Sequence, residues 1–196
     1  MEFNFRISSR FEYFLNAVLY CLWRWELKGD RIIKGLVYYL LIRNLKMFVT
    51  KRIREKLDRR WRKSIEVYDG LFCGETRGVN ITLAKNNLLA LWTGYTSIFM
   101  FVPLGVSFII LKNMLISVLV AVIVGLILDG PIYKNILNDY QYIEYFRMFE
   151  LEDEYWHKKW NRKTILICFG ALLSVLLSGV VMFVIMYLGR SVMVPR

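Results

Sequence analysis

The stretch LLALWTGYTSIFMFVPLGVSFIIL (Leu88–Leu111), followed by Lys112-Asn113 and MLISVLVAVIVGLIL (Met114–Leu128), decides the fold. Neither apolar run contains Asp, Glu, Lys, Arg or His. The first run has 24 residues, and as a helix it would extend about 36 Å against a hydrocarbon core of roughly 30 Å. It is long enough to cross a bilayer. The second has only 15 residues, about 22 Å of helix, so to cross it must take in Asp129 to Ile136. That carries Gly130-Pro131 to the interface, where the missing amide and crowded ring of Pro131 predict a kink and a bent cytosolic continuation of the helix. A third uncharged run, Thr164–Leu188, spans 25 residues directly after Lys158, Lys159, Arg162 and Lys163.

Composition agrees with these runs. A chain of 196 residues that is 57% apolar and 16% aromatic, with mean hydropathy +0.39, is not a water-soluble globule. The expected fold class is an all-α integral membrane protein: three transmembrane helices, N-terminal amphipathic helices at the interface, and a cytosolic helical extension of the second span. Four regions follow. Residues 1–87 form a basic cytosolic or interfacial helical region, 88–136 a transmembrane hairpin, 137–163 a cytosolic aromatic and acidic helix, and 164–196 the third span with a short outer tail.

Charge sets the orientation. The net charge is +11, from 27 Lys and Arg against 16 Asp and Glu, and residues 1–87 hold 18 of the basic and 9 of the acidic groups. Basic residues stay on the cytosolic side of a membrane. With the N-terminus inside, the cytosol receives all of 1–87 together with Lys134, Arg147 and the 158–163 run, leaving Lys112, Arg190 and Arg196 outside. The expected location is therefore a cell membrane, such as a prokaryotic cytoplasmic membrane, with a cytosolic N-terminus and an outer C-terminus. The opening MEFNFRISSR has no apolar core with a small-residue cleavage site after it, so the first span itself is expected to direct insertion. The sequon Asn80-Ile81-Thr82 falls on the cytosolic side in this topology. Cys21, Cys73 and Cys168 are widely spaced and predict neither a disulfide framework nor a zinc site.

Within 1–87, Phe11–Trp25 and Ile32–Ile65 read as two helices lying on the inner surface, separated at Lys28-Gly29-Asp30. A further span over Ile32–Val49 would bury Lys34, Arg43 and Lys46 at about 2.5 to 3.5 kcal/mol each near mid-membrane, which disfavours it. From Arg43 to Lys63 there are ten basic residues against Glu55 and Asp58, while Val49, Ile53, Leu57, Trp61 and Ile65 recur every fourth position. That pattern makes a polybasic amphipathic helix. Its candidate binding residues are Arg52, Arg54, Lys56, Arg59, Arg60, Arg62 and Lys63, expected to meet anionic lipid or a protein partner. Nucleic acid is disfavoured because no recognition fold or stacking platform accompanies the charge. Asp69 to Asn87, with Cys73 inside it, reads as a connecting loop.

Residues 132–163 crowd aromatics around the acidic group Glu150, Glu152, Asp153 and Glu154. Tyr133, Trp156 and Trp160 suit an interfacial belt. The excess predicts a small cytosolic cap, with the acidic group paired to the basic helix at 43–63 of the same chain or of a neighbour. Glu154 and His157 have the spacing of a metal-ligating pair but lack the second pair such a site needs, so no metal and no cofactor is expected. Asp129, at the end of the second run beside Pro131, is the ionisable group nearest membrane depth and the candidate for a kink or pore position.

Small residues recur every fourth position at Ser117, Ala121 and Gly125, and at Gly170, Ser174 and Ser178, with Ala90 and Gly94 opening the first span. Such faces bring backbones close, within one chain or between copies. The leading functional expectation is a non-catalytic membrane subunit or scaffold, a homo-oligomer or a member of a membrane complex. Behind it stands a homo-oligomeric pore of toxin or host-defence type using Thr93, Tyr95, Thr96, Ser97 and Asp129. A lipid-acting enzyme ranks last for want of converging ionisable groups.

Overall fold

The computed structural model describes residues 9–72, 78–111, 114–132 and 141–193. These are almost entirely helical, with no strand among them: α1 (Ser9–Val37), a π-helical stretch Tyr38–Arg43, α2 (Asn44–Met47), α3 (Lys51–Phe72), α4 (Val79–Leu111), α5 (Met114–Ile132), α6 (Gln141–Glu150) and α7 (Glu154–Met193). Two of them, α4 from Val79 to Ile110 and α7 from Glu154 to Leu188, are long and apolar enough to cross a membrane.

Both helices overrun a bilayer. The 33 residues of α4 and the 40 of α7 extend about 50 and 60 Å. Their apolar lengths lie toward their C-terminal ends, and the surplus at their N-terminal ends enters a compact aromatic core. Asp153 starts α7 by accepting the Trp156 backbone N–H at 2.7 Å, the N-cap arrangement.

That core is built around α1. Every residue from Leu15 to Trp23 is buried, which requires neighbours on all sides of the helix. The stripe Tyr142, Phe146 and Phe149 of α6 faces it, with Trp156 and Trp160 of α7 and Ile81, Ala84 and Leu88 of α4. Rings of Trp23 and Phe146 lie 5.0 Å apart, Tyr20 and Phe146 5.2 Å, and Phe149 and Trp156 4.8 Å. Edge-to-face and offset pairs of this kind each add about 0.5–1.5 kcal/mol beyond burial.

Four local expectations are corrected. Gly29 does not separate one helix from the next: α1 runs through it, because one glycine costs only about 1 kcal/mol in a helix and Asp30 beside it is held by Tyr68 and Lys34. The break falls instead at Phe48–Thr50, where the Thr50 carbonyl accepts from the Ile53 and Arg54 amides. Residues 69–87 are not a loop through most of their length, since α3 continues to Phe72 and α4 begins at Val79; Cys73 lies outside the described residues. The first half of α1 is not a surface helix but the centre of the core. The acidic group does not face α3: α6 packs on α1, Glu154 pairs with Lys158 at 2.8 Å, and Asp153 caps α7. The continuation of α5 beyond its last turn, with Tyr133, falls on residues 133–140, outside the described residues.

A buried α1 carries a chemical signature. Cys21 is buried, and burial pushes its thiol pKa above the ordinary value, which lowers both access and thiolate content at neutral pH. Soluble maleimide should therefore alkylate Cys21 slowly in the folded, detergent-extracted chain and quickly once denatured, and Phe149→Ala, losing roughly 3–5 kcal/mol, should raise the native rate. Prompt labelling at Cys21 of the folded chain, with Cys73 and Cys168 replaced by alanine, would contradict this packing.

Candidate functional site: the helix layer and the basic arm

Contacts along α4 order the apolar helices. Gly94 approaches Ala171, Ser97 meets Ser178, and Gly105 faces Ile185, so residue numbers rise together and α4 and α7 run parallel. Against α5 the order reverses: Trp92 donates to the Leu128 carbonyl at 3.3 Å, Thr93 to Asp129 at 3.3 Å, and Met100 covers Gly125. α5 is antiparallel to α4. At about 100° per residue, the set Gly94, Ser97 and Gly105 and the set Trp92, Thr93 and Met100 are centred about 125° apart round α4, with Ser97 and Thr93 neighbours where the two meet. The three helices form an open layer in the order α5, α4, α7, and α5 and α7 make no contact comparable to those each makes with α4.

The small residues sit in these contacts. Ser117, Ala121 and Gly125 are buried on α5, and a Cβ on Gly125 would stand 2.6 Å from the Met100 Cε. On α7, Ser178 is buried and Gly170 and Ser174 are half-buried. Tyr95 donates to the Ile167 carbonyl at 2.8 Å, its hydroxyl lies against Gly170, and Ser174 reaches the Tyr95 carbonyl at 3.5 Å. The Ser97 and Ser178 hydroxyls are 3.0 Å apart and share their two protons between each other and the carbonyls of Gly94 and Val175. These faces are occupied within one chain. The outer faces of α5 and α7 expose Leu115, Leu119, Leu126, Leu166, Phe169 and Phe183 among others.

The polar residues weighed for a pore have local uses. Thr96 and Ser97 are buried and donate to the carbonyls of Thr93 and Gly94. Asp129 accepts from Thr93 through one carboxylate oxygen, while the other is buried without a protein partner. Pro131 lies in the last turn of α5.

The basic residues occupy an arm. Beyond Asp30, α1 leaves the core and α3 folds back antiparallel beside it: Lys34 pairs with Asp69, Tyr68 donates to Asp30 at 2.7 Å, Tyr38 meets Trp61 at 6.0 Å, and Lys46 pairs with Asp58. The Asp58 carboxylate and the Tyr38 hydroxyl hold the Lys46 ammonium pKa above its ordinary value. Trp61 and Ile65, from the predicted apolar stripe, turn toward Ile33 and Val37 of α1. Arg52, Arg54, Lys56, Arg59, Arg60, Arg62 and Lys63 are all exposed.

A second basic feature was not singled out from sequence. Arg24, Lys28 and Arg31 of α1 line a cleft of about 400 Å³ with Asn161 of α7, and Arg24 donates to the His157 Nδ1 at 3.1 Å. Its sequence signal was the i, i+4, i+7 spacing of three cations on one helix. No protein-family model, curated protein or solved structure matches this chain.

The Gly94 contact separates packing within a chain from packing between copies. A Cβ there would meet the Ala171 Cβ at 3.1 Å and its carbonyl oxygen at 3.3 Å, and backbone yields less than the mobile Met100 side chain. Gly94→Leu should lower the thermal midpoint of the extracted chain equally at all protein concentrations, and more than Gly125→Ala does. A loss that vanishes on dilution would place the Gly94 face between copies instead.

Proposed function

We propose that the chain is a non-catalytic, three-span membrane scaffold. Its aromatic core and basic arm lie on the cytosolic side and hold anionic lipid, and its outer helix faces meet neighbouring copies or another membrane subunit. The observation that carries this reading is the parallel packing of α4 and α7. Two parallel helices that cross one bilayer require the chain to return between them, and α5, antiparallel to α4, is the return. Its 19 residues extend about 28 Å, close to a hydrocarbon core. The N-terminal ends of α4 and α7 then share one side with α1, α3 and α6, the side that gathers the basic residues, as the positive-inside rule requires.

The scaffold reading is favoured over the pore because Thr96 and Ser97 are spent on helix contacts rather than on lining a path. Exposed Lys and Arg near an anionic surface contribute about 1 kcal/mol each, and α3 supplies eight, Lys51 and the seven candidate residues.

Sided labelling tests the topology. A cysteine replacing Lys112 should react with an impermeant reagent from outside, whereas one replacing Arg59 or Lys158 should react only after permeabilisation. The extracted chain should also retain anionic phospholipid over zwitterionic lipid by native mass spectrometry, and Arg59, Arg60, Arg62 and Lys63→Glu together should reduce that enrichment. External labelling at Arg59 would overturn the orientation, and unchanged lipid retention would remove the role of α3.

A further inference from the structure

The arm poses a stability problem. No residue from Arg31 to Asp69 is buried, and a pair of helices with so little enclosed apolar surface does not hold itself together in water. Ile32, Leu36, Leu40, Met47 and Phe48 are 57%, 52%, 54%, 65% and 87% exposed. Something must cover that face.

The direction of α1 says what. Phe11 meets Trp92 near the start of α1, and Glu26 accepts from Asn87 at 2.8 Å further along. Fifteen residues of α1, about 22 Å, thus pass only five residues of α4, about 7.5 Å. Against α7 the ratio is similar, from Phe14 on Trp160 to Arg24 on His157. α1 therefore lies steeply across both long helices, close to the plane of a membrane they would span.

Its two sides differ. Phe14 and Val18 point toward Leu91, Trp92, Tyr95 and Ile167, deeper along α4 and α7. Tyr20 and Trp23, on the opposite side, meet Phe146, and Tyr20 also meets Trp156. Eighteen residues of helix make five whole turns, and α1 is unbroken to Val37. Ile32 and Leu36 therefore repeat the direction of Phe14 and Val18. The face that looks into the membrane region within the core continues along the arm, where no described residue covers it. Lys28 and Arg31 border one edge of this face, and the exposed cations of α3 are carried on the helix beside α1.

We infer that the arm is a platform seated on the same bilayer that α4 and α7 cross, with Ile32 and Leu36 among the acyl chains and the cations of α1 and α3 on anionic headgroups. This rests on the three-span reading above. The occupant is the chain's own membrane because the face is continuous with the one that α1 turns toward the spans, and the surrounding charge suits an anionic leaflet. α3 contributes charge; Trp61 and Ile65 of its apolar stripe are turned on α1.

The test uses the full chain with its three cysteines replaced by alanine, spin-labelled at Ile32→Cys, Leu36→Cys, Arg59→Cys or Leu176→Cys, and reconstituted in vesicles of zwitterionic lipid with and without anionic lipid. The readout is the ratio of collisions with oxygen, which concentrates in lipid, to collisions with a water-soluble nickel chelate. With anionic lipid present, positions 32 and 36 should match Leu176 and exceed Arg59 severalfold, and the ratio at 36 should fall when Arg59, Arg60, Arg62 and Lys63 are changed to Glu. A lipid-like value at 176 with water-like values at 32 and 36 would overturn the platform and leave the spans intact. A water-like value at 176 would overturn the span reading itself, and lipid-like values at 32 and 36 that ignore anionic lipid and charge reversal would overturn the electrostatic contribution.

Discussion

The close approach of α4 and α7 at Gly94–Ala171 and Ser97–Ser178 is the contact on which the rest of the structure depends. In lipid, helices gain little from the hydrophobic effect on meeting, so they associate where small residues let backbones come close and hydroxyls bond across. Ala171 is 3.1 Å from a Cβ placed on Gly94, and the serine hydroxyls are 3.0 Å apart. This seam fixes the relative height of the two longest helices, and that height decides which of their segments project past the packed apolar lengths. The projecting ends bring Ile81, Ala84 and Leu88 beside Trp156 and Trp160, leaving a slot that α1 and α6 fill.

Because α4 is the middle member of an open layer, it carries both contacts, on faces centred about 125° apart. Gly94, Ser97 and Gly105 serve α7, and Trp92, Thr93 and Met100 serve α5. Pro103 is accommodated inside α4, as prolines in membrane helices are when neighbours and nearby hydroxyls re-satisfy the freed carbonyls. The arrangement leaves the outer faces of α5 and α7 apolar and exposed.

Much of this was legible in the sequence, and the misses share a cause. Uncharged runs locate the apolar lengths of α4 and α7 because hydropathy is a property of each residue alone. The fourfold spacing of Ser117, Ala121 and Gly125 marks a packing face for the same reason. Periodicity does not tell which surface a face meets. Phe11–Trp25 reads as an interfacial helix because its two apolar sides look like one broad one, yet one side meets α6 and the other meets α4 and α7. The stripe of Trp61 and Ile65 suggests lipid but turns on α1. The aromatics of α6 exceed any belt because they belong to a core whose other half lies more than a hundred residues earlier. Gly29 misleads because a single glycine is a weak break when its neighbours are tied to a second helix.

The central claim is that α4 and α7 lie parallel and in register within one chain. Oxidative cross-linking of Ser97→Cys with Ser178→Cys in native membranes, with the other cysteines replaced, tests it most directly. Parallel, in-register packing predicts rapid formation of an intramolecular disulfide that leaves the chain monomeric on a denaturing gel and protects both thiols from alkylation. Failure to cross-link, or cross-linking only into dimers, would contradict it.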